Sequence, residues 1–274
     1  MTVLLPSGET IPALGMGTWM MAERPGRRAD EIAALRTGLD LGLSLVDTAE
    51  MYANGASEEL VGEAIAGRRD EVFLVSKVLP SHASAAGTVR ACEASLRRLG
   101  TDRLDLYLLH WRGGVPFEQT LEGFTALVES GKIRHWGVSN LDLDDMRELT
   151  ALPGSCQANQ ILYNLSRRGP EHDLLPWHAS TGIPVMAYSP VEQGRLLDSP
   201  ALASVAGRHG ATPAQVALAW VLRLPHVNAI PKAGTAEHVR ENARALELRL
   251  TTQDLADLDT AFPPPSGPTP LAVL

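Results

Sequence analysis

Short apolar segments alternate with amphipathic segments along almost the whole chain. In the amphipathic segments, apolar residues recur at spacings of three and four, as Val89, Cys92 and Leu96 do, and this period predicts helices. The eight apolar segments have the length of buried strands and cover residues 13–17, 43–47, 71–77, 103–110, 133–139, 156–160, 183–189 and 227–232. Strict alternation of the two element types predicts parallel strands joined by helical crossovers. Eight such units close a barrel, so we predict an α/β fold, a (β/α)8 TIM barrel, as a single domain over residues 1–274.

Capping residues support this assignment of the helices. Thr212 precedes Pro213 and stands three residues before Gln215, which is the pattern of an N-cap with a proline in the first helical position and a capping box. Glycines commonly occupy the position just after a helix, and they lie where four predicted helices end, at Gly42, Gly100, Gly131 and Gly182. The helix ends therefore fall between the apolar segments, as a barrel requires.

Two further elements flank the eight units. Residues 3–11 contain two short apolar segments around a Pro-Ser-Gly turn, which predicts an N-terminal β-hairpin covering the barrel floor. After the eighth helix, predicted over residues 236–246, Thr251 is placed to cap an extra C-terminal helix carrying Leu255 and Leu258. A proline-rich segment follows from residue 263, and we expect an extended tail there.

A doubly wound sheet is the competing architecture. It would carry three spaced glycines directly between its first strand and first helix. Gly15 and Gly17 match the first two positions, but Met20 occupies the third, and the polar segment 22–26 follows where the helix should begin. We therefore interpret this region as the loop after the first barrel strand.

Composition and charge narrow the possible partners. The chain has 24 Lys and Arg against 32 Asp and Glu, so its formal charge of −8 argues against a nucleic-acid partner, although it permits one phosphorylated small molecule. There is no apolar segment of membrane-spanning or signal-peptide length, and we expect a cytoplasmic monomer without a membrane partner. Cys92 and Cys156 are predicted to be reduced core residues, and no metal site is expected because the histidines are scattered.

Polar residues end nearly every predicted strand. In barrels of this type the active site lies at the carboxyl ends of the strands, so these residues are predicted to face one common opening. They are Asp47, Lys77, His110, Ser139 with Asn140, Asn159 with Gln160, Tyr188 with Ser189, and Lys232.

Three successive strands in this set carry residues suited to proton transfer. A lysine at a buried strand end needs a carboxylate partner, and Asp47 on the neighbouring strand can serve Lys77 in this way. Tyr52 follows Asp47 by five residues, and a nearby cationic Lys77 is expected to lower the pKa of its phenol. His110 would add a neutral hydrogen-bond donor. Taken singly, each residue also fits a purely structural role; together they favour a catalytic site.

The same residues make the chain resemble the aldo-keto reductase superfamily, over the stretch from Leu14 to about Asn242. The matching motifs are Asp47-Thr48-Ala49 with Tyr52, Leu108-Leu109-His110, Gly137-Val138-Ser139-Asn140 and Ile230-Pro231-Lys232. The resemblance implies a (β/α)8 barrel with an N-terminal hairpin and a nicotinamide cofactor bound across its mouth. It also implies a catalytic tetrad of Asp47, Tyr52, Lys77 and His110. Within the family the chain is most similar to bacterial reductases of small aldehydes and of 2-oxoaldehydes such as methylglyoxal.

The resemblance also implies a set of cofactor-binding residues. Ser139, Asn140 and Gln160 would hold the nicotinamide carboxamide, and the ring of Tyr188 would stack on one face of the nicotinamide. The full set is Gly17, Thr18, Asp47, Ser139, Asn140, Gln160, Tyr188, Ser189, Val191, Gln193, Gly194, Lys232, Ala233, His238, Glu241 and Asn242.

Two members of this set depart from the usual family pattern. Ala233 stands where serine is common and His238 where arginine is common, beside the Lys232 that would meet the 2′-phosphate of NADPH. A neutral imidazole does not replace a permanently charged guanidinium. We therefore predict NADPH as the cofactor, with some tolerance of NADH.

The substrate is expected to be a small carbonyl compound. Trp19, Tyr52, His110 and Trp111 are predicted to line its pocket, and the proline-rich tail is expected to leave the outer wall open. Two other functions fit parts of the sequence: a regulatory module that binds the cofactor without significant turnover, and an isomerase barrel in which Lys77 acts on a sugar phosphate. Binding of NADPH would argue against the isomerase.

Overall fold

Ten strands form a hairpin and a barrel in the computed structural model, which describes residues 1–274. The hairpin consists of β1 (Thr2–Leu4) and β2 (Thr10–Pro12), which pair antiparallel. The barrel strands are β3 (Met16–Gly17), β4 (Leu45–Asp47), β5 (Phe73–Val78), β6 (Leu104–Leu109), β7 (Ile133–Ser139), β8 (Asn159–Leu162), β9 (Val185–Tyr188) and β10 (Val227–Ile230). These eight strands are parallel, and each pairs with its neighbours in sequence. The predicted fold class is therefore confirmed.

The barrel closes where its first and last strands meet. The backbone N–H of Gly15 donates to Ala229 O at 2.8 Å, that of Ala229 donates to Ala13 O at 2.8 Å, and Gly17 bridges Lys232 in parallel. This contact leaves no room for a side chain at Gly17, since a Cβ there would lie 2.7 Å from the carbonyl oxygen of Ile230. Glycine at this position lets the seam form.

The helices surround the barrel. They are α1 (Arg28–Asp40), α2 (Ala56–Ile65), α3 (Ala85–Leu99), α4 (Phe117–Glu129), α5 (Leu143–Thr150), α6 (Leu174–Thr181), α7 (Pro200–His209), α8 (Pro213–Leu222), α9 (Ala236–Arg244) and α10 (Thr252–Ala261). The predicted capping box of Thr212 and Gln215 is present, and the four predicted terminal glycines all have positive φ. Two helices, α7 and α8, separate β9 from β10. No helix combines the length and the apolar character needed to cross a bilayer.

The hairpin packs on the amino-terminal ends of the barrel strands, as expected. Asn228 Nδ2 donates to Pro12 O at 2.5 Å, and Ser7 N donates to Gln157 Oε1 at 2.8 Å. Val3 and Ile11 are buried. The opposite end of the barrel is left to the loops that follow the strands.

The C-terminal segment is anchored to the barrel surface and then crosses it. The N-cap Thr251 begins α10 with a capping box, and the buried carboxylate of Asp254 in that helix pairs with Arg208 of α7 at 2.7 Å. After α10 the chain has no regular structure, and Thr269 packs so closely on Gly169 that no Cβ fits there. The segment ends at the carboxyl-terminal opening of the barrel, where Val273 and Leu274 lie at the cavity.

Candidate active site

A cavity of about 910 Å³ lies at the carboxyl ends of the barrel strands. Most of the predicted site residues line it: Gly17, Trp19, Asp47, Tyr52, His110, Trp111, Ser139, Asn140, Gln160, Tyr188, Ser189, Val191, Gln193, Gly194, Lys232, His238, Glu241 and Asn242. The polar residues that end the strands are thus brought together, because carboxyl ends of parallel strands meet at one face of the barrel.

Four predicted residues lie outside the cavity wall. Asn159, predicted to end its strand at the opening, instead begins β8, where it is fully buried and its Nδ2 donates to Leu141 O at 2.9 Å. Lys77 is fully buried just behind it. Thr18 is also fully buried, and its hydroxyl donates to Asp47 O at 2.9 Å while accepting a hydrogen bond from Ser57, so its side chain does not line the cavity. Ala233 is buried with no polar side-chain atom to offer. Thr18 supports the backbone of Asp47 instead.

Lys77 is the centre of the catalytic candidates. Its ammonium donates to Asp47 Oδ2 at 2.8 Å, to Thr48 O at 3.0 Å and to the Tyr52 hydroxyl at 3.0 Å. Burial alone would lower the pKa of Lys77, but the carboxylate of Asp47 and the phenol of Tyr52 outweigh it and raise the pKa above its ordinary value. Lys77 therefore stays charged and holds Asp47 and Tyr52 on two sides.

The pKa of Tyr52 shifts in the direction opposite to the one predicted. Burial raises this pKa, and the nearby Lys77 offsets the effect only in part, so the net pKa lies above 10.0. The prediction omitted the desolvation of a phenol inside the barrel mouth. At neutral pH Tyr52 therefore keeps its proton, which is the form that an acid needs.

His110 is neutral, as predicted. Burial and the nearby charge of Lys77 lower its pKa from 6.5 to about 2. Its Nδ1 is buried without a hydrogen-bond partner. A buried N–H without an acceptor is costly, so we assign the proton to Nε2, which has no partner within the protein. The His110 ring contacts that of Tyr52 edge to face, with centroids 5.8 Å apart, so a donor and an acid lie side by side.

The residues predicted to hold a carboxamide form one hydrogen-bonded group. Gln160 Nε2 donates to Asp47 Oδ1 at 2.8 Å, Ser139 Oγ donates to Gln160 O at 2.8 Å, and the Tyr188 hydroxyl donates to Asn140 Oδ1 at 2.9 Å. Asn140 has φ of 57°, an uncommon conformation for a residue other than glycine. These contacts fix amide and hydroxyl groups along the cavity wall, where they suit the donors and acceptors of a nicotinamide carboxamide.

The loop after β9 is held in place by a carboxylate that sequence analysis did not identify. Glu192 accepts a hydrogen bond from Asn164 Nδ2 at 2.8 Å and pairs with Arg167 at 2.8 Å. Ser189 and Gln193 both adopt positive φ in this loop. The clamp keeps the predicted cofactor-contacting residues of the loop at the cavity edge.

A second cation accompanies Lys232 at the start of α9. Arg27, which directly precedes α1, places its Nη2 within 3.5 Å of Gly234 O. A Cβ on Gly234 would lie 3.2 Å from Lys232 Nζ and 4.0 Å from Arg27 Nη2, so the two charged groups converge there. Together with the free N–H groups of a helix N-terminus, they suit a phosphate. Sequence analysis missed Arg27 because it lies 205 residues from Lys232 along the chain.

The substrate end of the cavity is more enclosed than predicted. Trp19 and Trp111 are exposed by 37% and 38%, as pocket-lining aromatic residues would be. The tail, expected to leave the outer wall open, brings Val273 and Leu274 to the cavity. Two partly exposed apolar side chains of the tail therefore contribute to that wall.

Comparisons with known proteins identify the family of the chain and support its fold. The model of the Aldo/keto reductase family matches residues 13–262. Methylglyoxal reductase YeaE of Escherichia coli K12 is 54% identical over 269 residues, which cover 96% of this chain and 95% of YeaE. An aldo-keto reductase of Mycobacterium sp. strain KMS is 38% identical, with coverage of 94% and 92%. A crystal structure of an aldo/keto reductase from Klebsiella pneumoniae, in complex with NADP and acetate, is 51% identical with a TM-score of 0.97, over 100% of this chain and 99% of that one.

Proposed function

We propose, since this chain belongs to the aldo/keto reductase family, that it reduces small 2-oxoaldehydes such as methylglyoxal with NADPH. The family match confirms the oxidoreductase class, and its general reaction is the reduction of carbonyl groups. The NADP and NADPH complexes of the two Klebsiella structures, each 51% identical to this chain, support NADPH as the cofactor.

The observation that carries the catalytic part of this proposal is the position of Lys77. Its ammonium contacts both Asp47 and Tyr52, and Tyr52 lies beside His110 at the cavity. An ion pair buried beside a phenol is not required for stability, because apolar residues of similar volume commonly stabilise a protein core equally well. The arrangement suits a site where a phenol gives up its proton.

Each residue then has a defined task in carbonyl reduction. When bound, NADPH supplies a hydride to the carbonyl carbon. Tyr52 donates its proton to the carbonyl oxygen, and Lys77 stabilises the phenolate that remains. Nε2–H of His110 donates a hydrogen bond that orients the same oxygen. Asp47 keeps Lys77 charged and in place.

The cofactor would be held at two ends of the cavity. Ser139, Asn140 and Gln160 bind the carboxamide, and the Tyr188 ring packs on the nicotinamide. At the other end Lys232 and Arg27 meet the 2′-phosphate, with His238 adding no permanent charge. Arg27 thus supplies the second permanent cation that His238 does not, and favours NADPH over NADH.

The size of the preferred substrate follows from the outer wall. Trp19, Trp111 and the two apolar residues at the end of the tail line the same cavity as His110. Both tail side chains are largely exposed, so they offer little buried area to a large apolar ketone. A small carbonyl compound loses less binding free energy from this exposure, because it binds mainly through hydrogen bonds to Tyr52 and His110.

Replacing Tyr52 with phenylalanine tests the catalytic assignment. The variant keeps the ring but loses the acid, so kcat for methylglyoxal should fall about a hundredfold or more. The affinity for NADPH, measured by fluorescence titration, should change little. A matched control is Tyr107→Phe, since the Tyr107 hydroxyl in β6 is buried without a partner and its loss should not affect the rate. Near-normal turnover in Tyr52→Phe would refute the assignment; absence of turnover in the parent would instead favour a regulatory module.

A further inference from the structure

Arg112 occupies the substrate end of the cavity, and both of its terminal nitrogens are paired with carboxylates. Its Nη1 contacts Asp145 Oδ1 at 2.5 Å and Glu148 Oε2 at 2.6 Å, and its Nη2 donates to Glu148 Oε1 at 2.9 Å. Its guanidinium also lies over the ring of Phe117, 4.6 Å from the centroid. Asp145 and Glu148 both lie on α5, one turn apart, so this one helix pairs with both terminal nitrogens, Nη1 and Nη2, of the guanidinium.

This group carries a net charge of −1 beside the substrate. Arg112 and Asp145 both line the cavity. Arg112 stands two residues after His110, and Asp145 lies on α5, the helix that follows the neighbouring strand β7. The other lysine or arginine on the wall is Lys232, which follows β10, four strands away from β6 in either direction around the barrel. A carboxylate on a substrate bound near His110 therefore meets no unpaired cation on the wall and faces Asp145, while Glu148 holds the same guanidinium from outside the cavity lining.

We propose that Asp145 and Glu148 act as specificity-determining residues that reject carbonyl substrates bearing a carboxylate, such as semialdehyde acids, and keep the site for neutral carbonyl compounds. The inference rests on the proposed reductase function and names the substrate class within it. Rejection of this kind works by repulsion and by occupying the group that would otherwise bind the anion. Without its two partners, the planar guanidinium of Arg112 can take a substrate carboxylate with two parallel hydrogen bonds.

The test compares an anion with its neutral counterpart. The substrates are succinic semialdehyde and its methyl ester, which differ by one charge at the same chain length. The measured quantity is the ratio of kcat/KM for the anion to kcat/KM for the ester. The parent enzyme should favour the ester about tenfold or more, and the double variant Asp145→Asn/Glu148→Gln should raise the ratio about tenfold, the scale of one charge-assisted hydrogen-bonded contact.

Two controls identify the cause. Asp144→Asn removes one negative charge from the same helix, at an exposed position that pairs with Arg147 outside the main cavity, and should leave the ratio unchanged. Adding Arg112→Gln to the double variant should abolish the gain. All four replaced residues lie in partly exposed pairs, so the variants should fold, and thermal unfolding checks this.

The outcomes separate this inference from the proposed function. If the parent reduces the ester and the anion equally well, or if the double variant leaves the ratio unchanged, the inference is wrong while the reductase remains. If the ratio rises equally in Asp144→Asn, the effect is a general one of net charge, and the inference is again overturned. If the parent reduces neither methylglyoxal nor the ester, the proposed function itself fails.

Discussion

Replacing Lys77 with methionine should affect stability and catalysis together. The side chain is fully buried and makes three hydrogen bonds, and methionine has a similar length but no charge. Its loss leaves the buried carboxylate of Asp47 with Gln160 as its remaining side-chain partner. Breaking a buried ion pair in this way costs about 3–5 kcal/mol in the free energy of unfolding, a large share of the roughly 5–15 kcal/mol that stabilises a typical domain.

A double-mutant cycle isolates the part that belongs to the ion pair. Asp47→Asn/Lys77→Met removes both charges, so it should lose about 2 kcal/mol less than the sum of the two single variants. Urea denaturation followed by circular dichroism measures each free energy of unfolding. In the parent, the folded pKa of Lys77 is raised above 10.5, so this stabilisation is present below pH 10.5 and is lost as the pH rises through the folded pKa.

Catalysis supplies the second measurement. Without its cation, the phenolate of Tyr52 is less stable, so kcat for methylglyoxal in Lys77→Met should fall at least as far as in Tyr52→Phe, about a hundredfold. Asp47→Asn should be milder because Lys77 remains. A stability loss below about 1 kcal/mol in Lys77→Met, strictly additive losses in the double variant, or an unchanged pH–rate profile would each refute the reasoning.

Two further predictions concern the cofactor end and the response to acid. Lys232→Ala and Arg27→Gln should each raise the Kd for NADPH about tenfold and leave the Kd for NADH nearly unchanged. Fluorescence titration measures both constants, and Arg24→Gln, at an exposed position, is the control. Equal weakening of NADPH and NADH binding would contradict the contact with the 2′-phosphate. The pKa of His110 is lowered from 6.5 to about 2, so its contribution to the free energy of unfolding is fully present above pH 6.5 and is lost as the pH falls from 6.5 towards 2. His110→Gln should therefore make the free energy of unfolding less dependent on pH below 6.5. Buried His178, with a pKa lowered to about 4, leaves a residual dependence; an unaltered pH curve in the variant would contradict the assignment of the effect to His110.

The barrel could be predicted from sequence because its signals are local. Each predicted strand is a short apolar run, nearly all of them close on a polar residue, and the helices have their own period and several clear caps, as Thr212 and Gln215 illustrate. The positions of Asp47, Lys77 and His110 at one opening then follow from parallel strand direction alone. No knowledge of side-chain contacts was needed.

Contacts between distant loops could not be predicted in this way. Arg27 meets Gly234, and Arg112 meets Asp145 and Glu148, only because the fold brings separate loops and helices together. The direction of the Tyr52 pKa was missed for a related reason: Lys77 could be inferred as a neighbour, but the extent of burial around the phenol could not. The path of the tail depends on packing against Gly169, which no local pattern records.

The seam between β3 and β10 has a consequence for how the chain folds. Its hydrogen bonds join Gly15 to Ala229, so the ring of strands is complete only when segments more than two hundred residues apart have met. Contacts of such high sequence separation form slowly, because the chain entropy of a long loop must be lost before they stabilise the product. Lys232 follows the last strand, so the phosphate-binding end of the cavity is assembled at this step. During refolding, recovery of NADPH binding should therefore trail the appearance of helical circular dichroism.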